Sequence, residues 1–174
     1  MNVNICKTHP DAVIPQYATA GAAGFDLVAV EDIVILPGET AKVPLGLAFE
    51  IPEGYVMYVC MRSGIALKTK LRQPNGIGVI DSDFRGEVAM MFDNVSEDYG
   101  EWIYGLQTLT DPLRWDIGAT YPAGTYLIRK GDRVAQGVIA PVNQAQFNVV
   151  DTLSVTERGT GGFGSTGTRA EVYA

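Results

Sequence analysis

The sequence predicts an all-β fold, a sandwich or barrel carrying one short helix. Strict apolar alternation runs from Ala41 to Ile51, and twenty Gly and nine Pro punctuate 174 residues. Beyond one short segment, no helical periodicity is present. In the first strand Ala41, Val43, Leu45, Leu47, Phe49 and Ile51 alternate with Lys42, Pro44, Gly46, Ala48 and Glu50. That is the period of a half-buried strand. A second strand, Tyr55 to Met61, follows the turn signal Pro52, Glu53 and Gly54. The helix is expected over Ile65 to Leu71, with Ser63 as its N-cap. Asn75, Gly76 and Gly78 then signal a hairpin leading into Val79, Ile80 and Asp81. Further strands are expected at Gly86 to Phe92, Thr125 to Ile128 and Val134 to Val142. Met57, Met61, Met90 and Met91 sit in apolar runs and read as core filler.

Length predicts one domain, 1–157, and a flexible Gly-rich arm, 158–174. A segment from Val95 to Lys130 interrupts the strand rhythm and holds both tryptophans. Hydrophobic residues make up 47% and charged residues 19%, which excludes a disordered chain. No apolar run reaches the roughly 18 residues of a membrane span, and MNVNICKTHPDAVIP lacks a signal peptide's apolar stretch. A cytoplasmic location without membrane partners is therefore expected. The formal charge of −7 repels a phosphate backbone, so nucleic acid is not an expected partner. Cys6 and Cys60 lack zinc spacing, and His9 is the only histidine, which argues against a metal cluster or a histidine triad.

Four segments carry candidate chemistry. In RGTGGFGSTG, Gly159, Gly161 and Gly164 match G-x-G-x-x-G, but no βαβ unit follows, so a dinucleotide fold is excluded. What remains is an arm with one cation, Arg158, and one ring, Phe163, suited to closing over a planar phosphorylated ligand. MRSGIALK places Arg62 and Ser63 at the helix start, a phosphate-binding arrangement. In GVIDSDF, Asp81 and Asp83 lie two apart at a strand start and are expected on one face, able to orient a water, a sugar or a metal. The plainer alternative is a solvated turn in which Asp83 pairs with Arg85. Gln136 in GDRVAQGVIAPV either faces solvent or is a placed donor.

Preceded by AGAAGFDLVA with Asp26, these segments occur in the order AGAAGFDLVA, MRSGIALK, NGIGVIDSDFRGEV, GDRVAQGVIAPV and RGTGGFGSTG. That set resembles the five motifs of the trimeric dUTPase family. The resemblance implies a jelly-roll-like β-clip homotrimer with sites at subunit interfaces. It implies hydrolysis of dUTP to dUMP and pyrophosphate with Mg2+, which keeps uracil out of DNA and supplies dUMP for dTMP synthesis. By position, Asp81 matches the residue that activates water, and Asn75, Gly78, Val79 and Ile80 match the uracil pocket. Phe84 stands where a Tyr usually packs on deoxyribose. Arg62, Ser63, Gly64 and Gln136 match the phosphate-binding groups. Arg158 matches the γ-phosphate arginine, and Phe163, with Gly164 and Ser165 beside it, matches the ring that stacks on uracil. Asp26 matches a residue supporting the metal's water shell or a subunit contact.

Two departures stand out. Gly137 replaces a commoner apolar residue, which predicts looser packing. The segment 95–130 resembles an insertion of phage members; its Trp102, Trp115, Tyr99, Tyr104, Tyr121 and Tyr126 are expected mostly to pack on Leu106, Leu109 and Leu113, the alternative being a protein-partner surface. The rival readings are a dCTP deaminase-type or bifunctional relative, of which the zinc type lacks its signature, and a nucleotide-switched regulator.

Overall fold

The computed structural model describes residues 1–97, 99–110, 119–165 and 167. It divides into two compact units, 1–143 and 144–174. The first unit holds β1 (Asn4–Lys7), β2 (Phe25–Val28), β3 (Ile33–Ile35), β4 (Thr40–Glu50), β5 (Tyr55–Met61), α1 (Ser63–Lys68) and β6 (Leu71–Arg72). It continues with β7 (Gly78–Ile80), β8 (Val88–Asn94), β9 (Trp102–Tyr104), β10 (Gln107–Thr108), β11 (Thr120–Pro122), β12 (Tyr126–Ile128) and β13 (Arg133–Pro141). Two four-stranded sheets form the body, ordered β1-β4-β8-β6 and β2-β13-β5-β7. A three-stranded sheet β10-β12-β3 and the pair β11-β9 complete it. The all-β expectation holds.

Strand alternation builds the core. Val43, Leu45, Leu47 and Phe49 of β4, Met57 and Val59 of β5, and Val88, Met90 and Phe92 of β8 are buried together. Met91, on the opposite face of β8, is 37% exposed, so it is not core filler. The alternation of β4 breaks at a register shift between Pro44 and Leu47 opposite β8. A β-bulge of this kind bends a strand and lets neighbouring residues bury on both faces.

The helix is shorter than expected and begins earlier. Arg62, not Ser63, occupies the N-cap, and Ser63 is the first helical residue. At the other end, the buried Thr69 hydroxyl donates to the Ile65 carbonyl at 2.7 Å and accepts the Leu71 amide at 3.1 Å. These bonds end the helix and release Leu71 into β6.

The hairpin expectation also changes. β6 pairs with β8 and β7 pairs with β5, so residues 73–77 cross from one sheet to the other instead of joining paired strands. The local turn signal was real: the Gly76 amide donates to the Gln73 carbonyl at 3.1 Å.

Segment 95–130 is not wholly an insertion outside the core. Tyr126 and Ile128 of β12 are core residues, 4% and 0% exposed, and β12 pairs with β3. Leu106 is buried too, but Tyr99, Trp102 and Tyr104 are 75%, 66% and 60% exposed. The expected packing of those rings is therefore not realised, because β9 and β11 form a two-stranded ribbon that buries little. Leu113 and Trp115 lie outside the described residues.

Candidate active site

The second sheet sets four of the motif segments side by side. Its order β2-β13-β5-β7 places Asp26, Gln136 and the residues leading to Arg62 on three successive strands, with the segment before Asp81 on the fourth. In register, Gln136 of β13 faces Asp26 on one side and Cys60 on the other. Two residues beyond Cys60 comes Arg62.

Phe25 and Gly137 fix that register. They are direct partners across β2 and β13, and a Cβ added at Gly137 would lie 2.3 Å from the Phe25 ring. The ring is buried, set edge-on to Tyr17 and stacked near Phe49. Gly137 therefore does not loosen packing. Its missing side chain is the space into which Phe25 packs.

One end of the sheet is a charge cluster. Asp26 Oδ1 accepts from Arg62 Nε at 3.0 Å, and Oδ2 accepts from an Arg133 guanidinium nitrogen at 3.0 Å. Arg62 also donates to the Arg133 carbonyl at 3.2 Å. The Asp26 side chain is 20% exposed and that of Arg62 28%, so the contact is stronger than an open surface pair. Ser63 and Gly64 are exposed beside it, as is Gln136. Gln136 thus faces solvent beside the cluster, where it also has the freedom to donate to a ligand. Arg133 was missed by sequence reasoning. Its place three residues before Gln136, at the start of the same strand, was the available signal.

The other candidate carboxylates lie elsewhere. Asp81 follows Ile80, which pairs with Met57, whereas Arg62 follows Met61 at the far end of β5. At about 3.3 Å per residue, the two places are on the order of 15–20 Å apart along the strand. Within one chain, Asp81 and Arg62 are not brought together. Asp81 and Asp83 do not begin a strand; the Phe84 amide donates to the Asp81 carbonyl at 3.2 Å and closes a turn, so the expected shared strand face does not exist. Nor does Arg85 pair with Asp83. It donates to the Ser82 and Phe84 carbonyls at 2.6 and 3.0 Å and lies 3.7 Å from Glu50.

Asn75 and Val79 are exposed, while Gly78 and Ile80 are half-buried. The Phe84 ring folds over Gly86 and is 42% exposed. Ile77 and Val79 are exposed as well, at 42% and 56%.

In the second unit, Arg158 Nε donates to the Gly161 carbonyl at 2.9 Å and the Gly161 amide to the Arg158 carbonyl at 3.1 Å. The Ser165 amide closes a further turn on the Gly162 carbonyl at 3.0 Å. Phe163 between them has φ 45° and a fully exposed ring. Gly164 follows it with φ +93°.

A family model described as dUTPase matches residues 10–99 and 122–167. The chain belongs to the dUTPase family. A deoxyuridine 5′-triphosphate nucleotidohydrolase of Nautilia profundicola is 42% identical over 167 residues, covering 96% of this chain and 99% of its own. One of Helicobacter pylori strain J99 is 36% identical, covering 96% and 97%. A Staphylococcus bacteriophage 80alpha dUTPase bound to dUpNHpp aligns with a TM-score of 0.91 at 32% identity, covering 96% and 99%. A mutant dUTPase from phage phi11 of S. aureus, described as coordinating a structural Mg(II) ion, aligns at 0.83 and 28%, covering 89% and 100%.

The protein is thus a dUTP-hydrolysing enzyme of the β-fold dUTPase type. The internal stretch outside the dUTPase match is 100–121, narrower than the 95–130 read from sequence, and β12 falls inside the matched region. Bacterial relatives align over 96% of the chain, so a long segment here is not confined to phage members.

Proposed function

We propose that this dUTPase cleaves dUTP to dUMP and pyrophosphate at sites shared between copies of the chain in a homotrimer. The separation of Asp81 from Arg62 along β5 carries this reading. One copy supplies the phosphate-binding corner of Arg62, Ser63, Gly64 and Gln136. Another supplies the base-reading segment Asn75, Gly78, Val79 and Ile80, the Phe84 ring for deoxyribose, and Asp81. Asp81 holds a water in line with the α-phosphorus and takes its proton, which combines positioning with general-base catalysis. Arg158 reaches the γ-phosphate, and Phe163 stacks on uracil, aided by the Gly164 and Ser165 turn.

The family implies Mg2+, and the residues fit it only as a substrate-carried ion. Among the described residues no cluster of His, Cys, Asp and Glu forms a metal cage, and both Asp26 oxygens face guanidinium groups. Asp26 would meet such an ion only through its waters, with the triphosphate carrying the ion into the site. When bound, Mg2+ offsets phosphate charge. Asp26 meanwhile holds Arg62 and Arg133 in place before substrate arrives.

The test is complementation. Asp81→Asn and Arg62→Ala are each expected to be nearly inactive, but trimers reassembled from an equal mixture should recover about a quarter of the sites, because the interface is heterologous. No recovery would mean that each chain builds its own site.

A second reading adds a protein partner at 95–130, favoured by the exposed Trp102 and Tyr104. The 80alpha dUTPase structures are described as controlling transfer of virulence genes.

No described helix is long and apolar enough to cross a membrane. Action in the cytoplasm, where dUTP forms, is part of the proposal.

A further inference from the structure

We propose that Gln73 is a positioning residue that sets the stiffness, and so the base specificity, of the turn before β7. The proposal rests on the assignment of Asn75 to Ile80 to uracil. Residues 73–77 belong to neither sheet, since β6 pairs with β8 and β7 with β5. Their backbone bonds, Gly76 to Gln73 at 3.1 Å and Ile77 to Asn75 at 2.7 Å, are internal and tie the turn only to itself. The Gln73 side chain reaches out of it. Its Nε2 donates at 2.9 Å to the carbonyl of Val59, a residue 2% exposed in the middle of the sheet and the partner of Gly78.

That bond fixes the amide's orientation, because a carbonyl partner requires the nitrogen side. Gln73 Oε1 is then buried with no protein partner among the described residues. An apolar side chain of similar length would fill the space without stranding an acceptor. What the amide contributes is therefore the bond to Val59.

Stiffness matters because uracil and thymine differ by one methyl. A pocket rejects the larger base by clash only if its wall does not yield. A turn freed from Val59 yields toward the methyl, and its backbone groups lose their alignment with the base edge.

The experiment measures pyrophosphate release from dUTP, dTTP and dCTP by the full chain between pH 5.5 and 8. Gln73→Leu is expected to lower the dUTP-over-dTTP preference in kcat/KM about five- to tenfold, chiefly through KM for dUTP, as befits one lost hydrogen bond. Gln73→Glu should match it at pH 8 and regain preference toward acid, where the protonated carboxyl again donates to Val59. A purely packing role would give no such recovery.

Gly78→Ala is the control, since the added Cβ would lie 3.0 Å from Val59 Cβ in the same segment. If Gly78→Ala shifts the preference while Gln73→Leu leaves it unchanged, or if Gln73→Glu shows no acid recovery, the role of Gln73 is overturned and the base-reading segment stands. If neither Gly78→Ala nor Gln73→Leu shifts it, the segment's assignment falls, and this inference with it.

Discussion

The two ends of β5 are prepared in opposite ways. At the Arg62 end, Asp26 holds two guanidinium groups at 3.0 Å, and the side chains of Asp26 and Arg62 are mostly sheltered. At the Asp81 end, a turn closed by backbone bonds leaves both carboxylates exposed. Cations kept in fixed positions bind a polyphosphate with little reorganisation, which suits a chain of net charge −7. A carboxylate that must hold a water is better left open until another copy and a substrate enclose it. On the proposed reading the contrast separates binding from turnover, and substitutions at the two ends should separate them too.

The largest effect is expected at Asp81. Asp81→Asn keeps the side chain's shape and removes its basicity, so turnover should fall about 10²-fold or more while dUTP binding by calorimetry stays near normal. Near-normal turnover would remove Asp81 from the role of base. At the opposite end, Arg62→Ala should weaken binding first.

Next comes the arm. Ending the chain before Arg158 should cut activity by roughly ten- to a hundredfold, since a closing arm contributes cation, ring and water exclusion together. Of the described residues removed, 158–160, 162–165 and 167 are exposed, so thermal melting should scarcely change. Full activity in the truncated chain would make the arm a mere tail.

Gly137→Ala is expected to act more mildly, through geometry. A Cβ 2.3 Å from the buried Phe25 ring must displace it, at a cost of about 1–3 kcal/mol. Because Gln136 and Asp26 are the adjacent pair, kcat/KM should drop several-fold, and Phe25→Leu should restore it by vacating the space. A fall unrelieved by Phe25→Leu would mean that the register is not set by this contact.

These contrasts also mark what the sequence made legible. β5 was readable to the residue, because its apolar run is bounded by a Gly turn and an Arg. β4 and β13 were readable to within a residue at each end. The bulge near Gly46 was not, since strict alternation gives no sign of a residue with two buried faces. Asn75-Gly76 announced a turn correctly but not that its flanks join different sheets, which long-range pairing decides. Arg133 was missed as a site residue because its position before Gln136 is only a weak signal, and only the fold sets it beside Asp26. The motif order named the candidate residues; their separation along β5 needed the register.

The smallest effect should come from the ribbon. Trp102 and Pro122 are paired across β9 and β11, so residues 103–121 can be replaced by an Asn-Gly turn without moving either flank. This cut leaves β12 and its buried Tyr126 and Ile128 intact, which removal of all of 95–130 would not. It does remove the buried Leu106 and the pairing of β10 with β12, so the melting temperature should fall by a few degrees, in line with the ~1.5–3 kcal/mol of a buried Leu. Turnover of dUTP, however, should stay within about threefold, because none of the groups proposed for water, phosphate or base lies in 103–121. Turnover and trimer mass are measured together after the replacement. If the trimer persists while turnover collapses, the ribbon belongs to the site; if the trimer itself is lost, the replaced stretch with its exposed Tyr104 was an interface between copies.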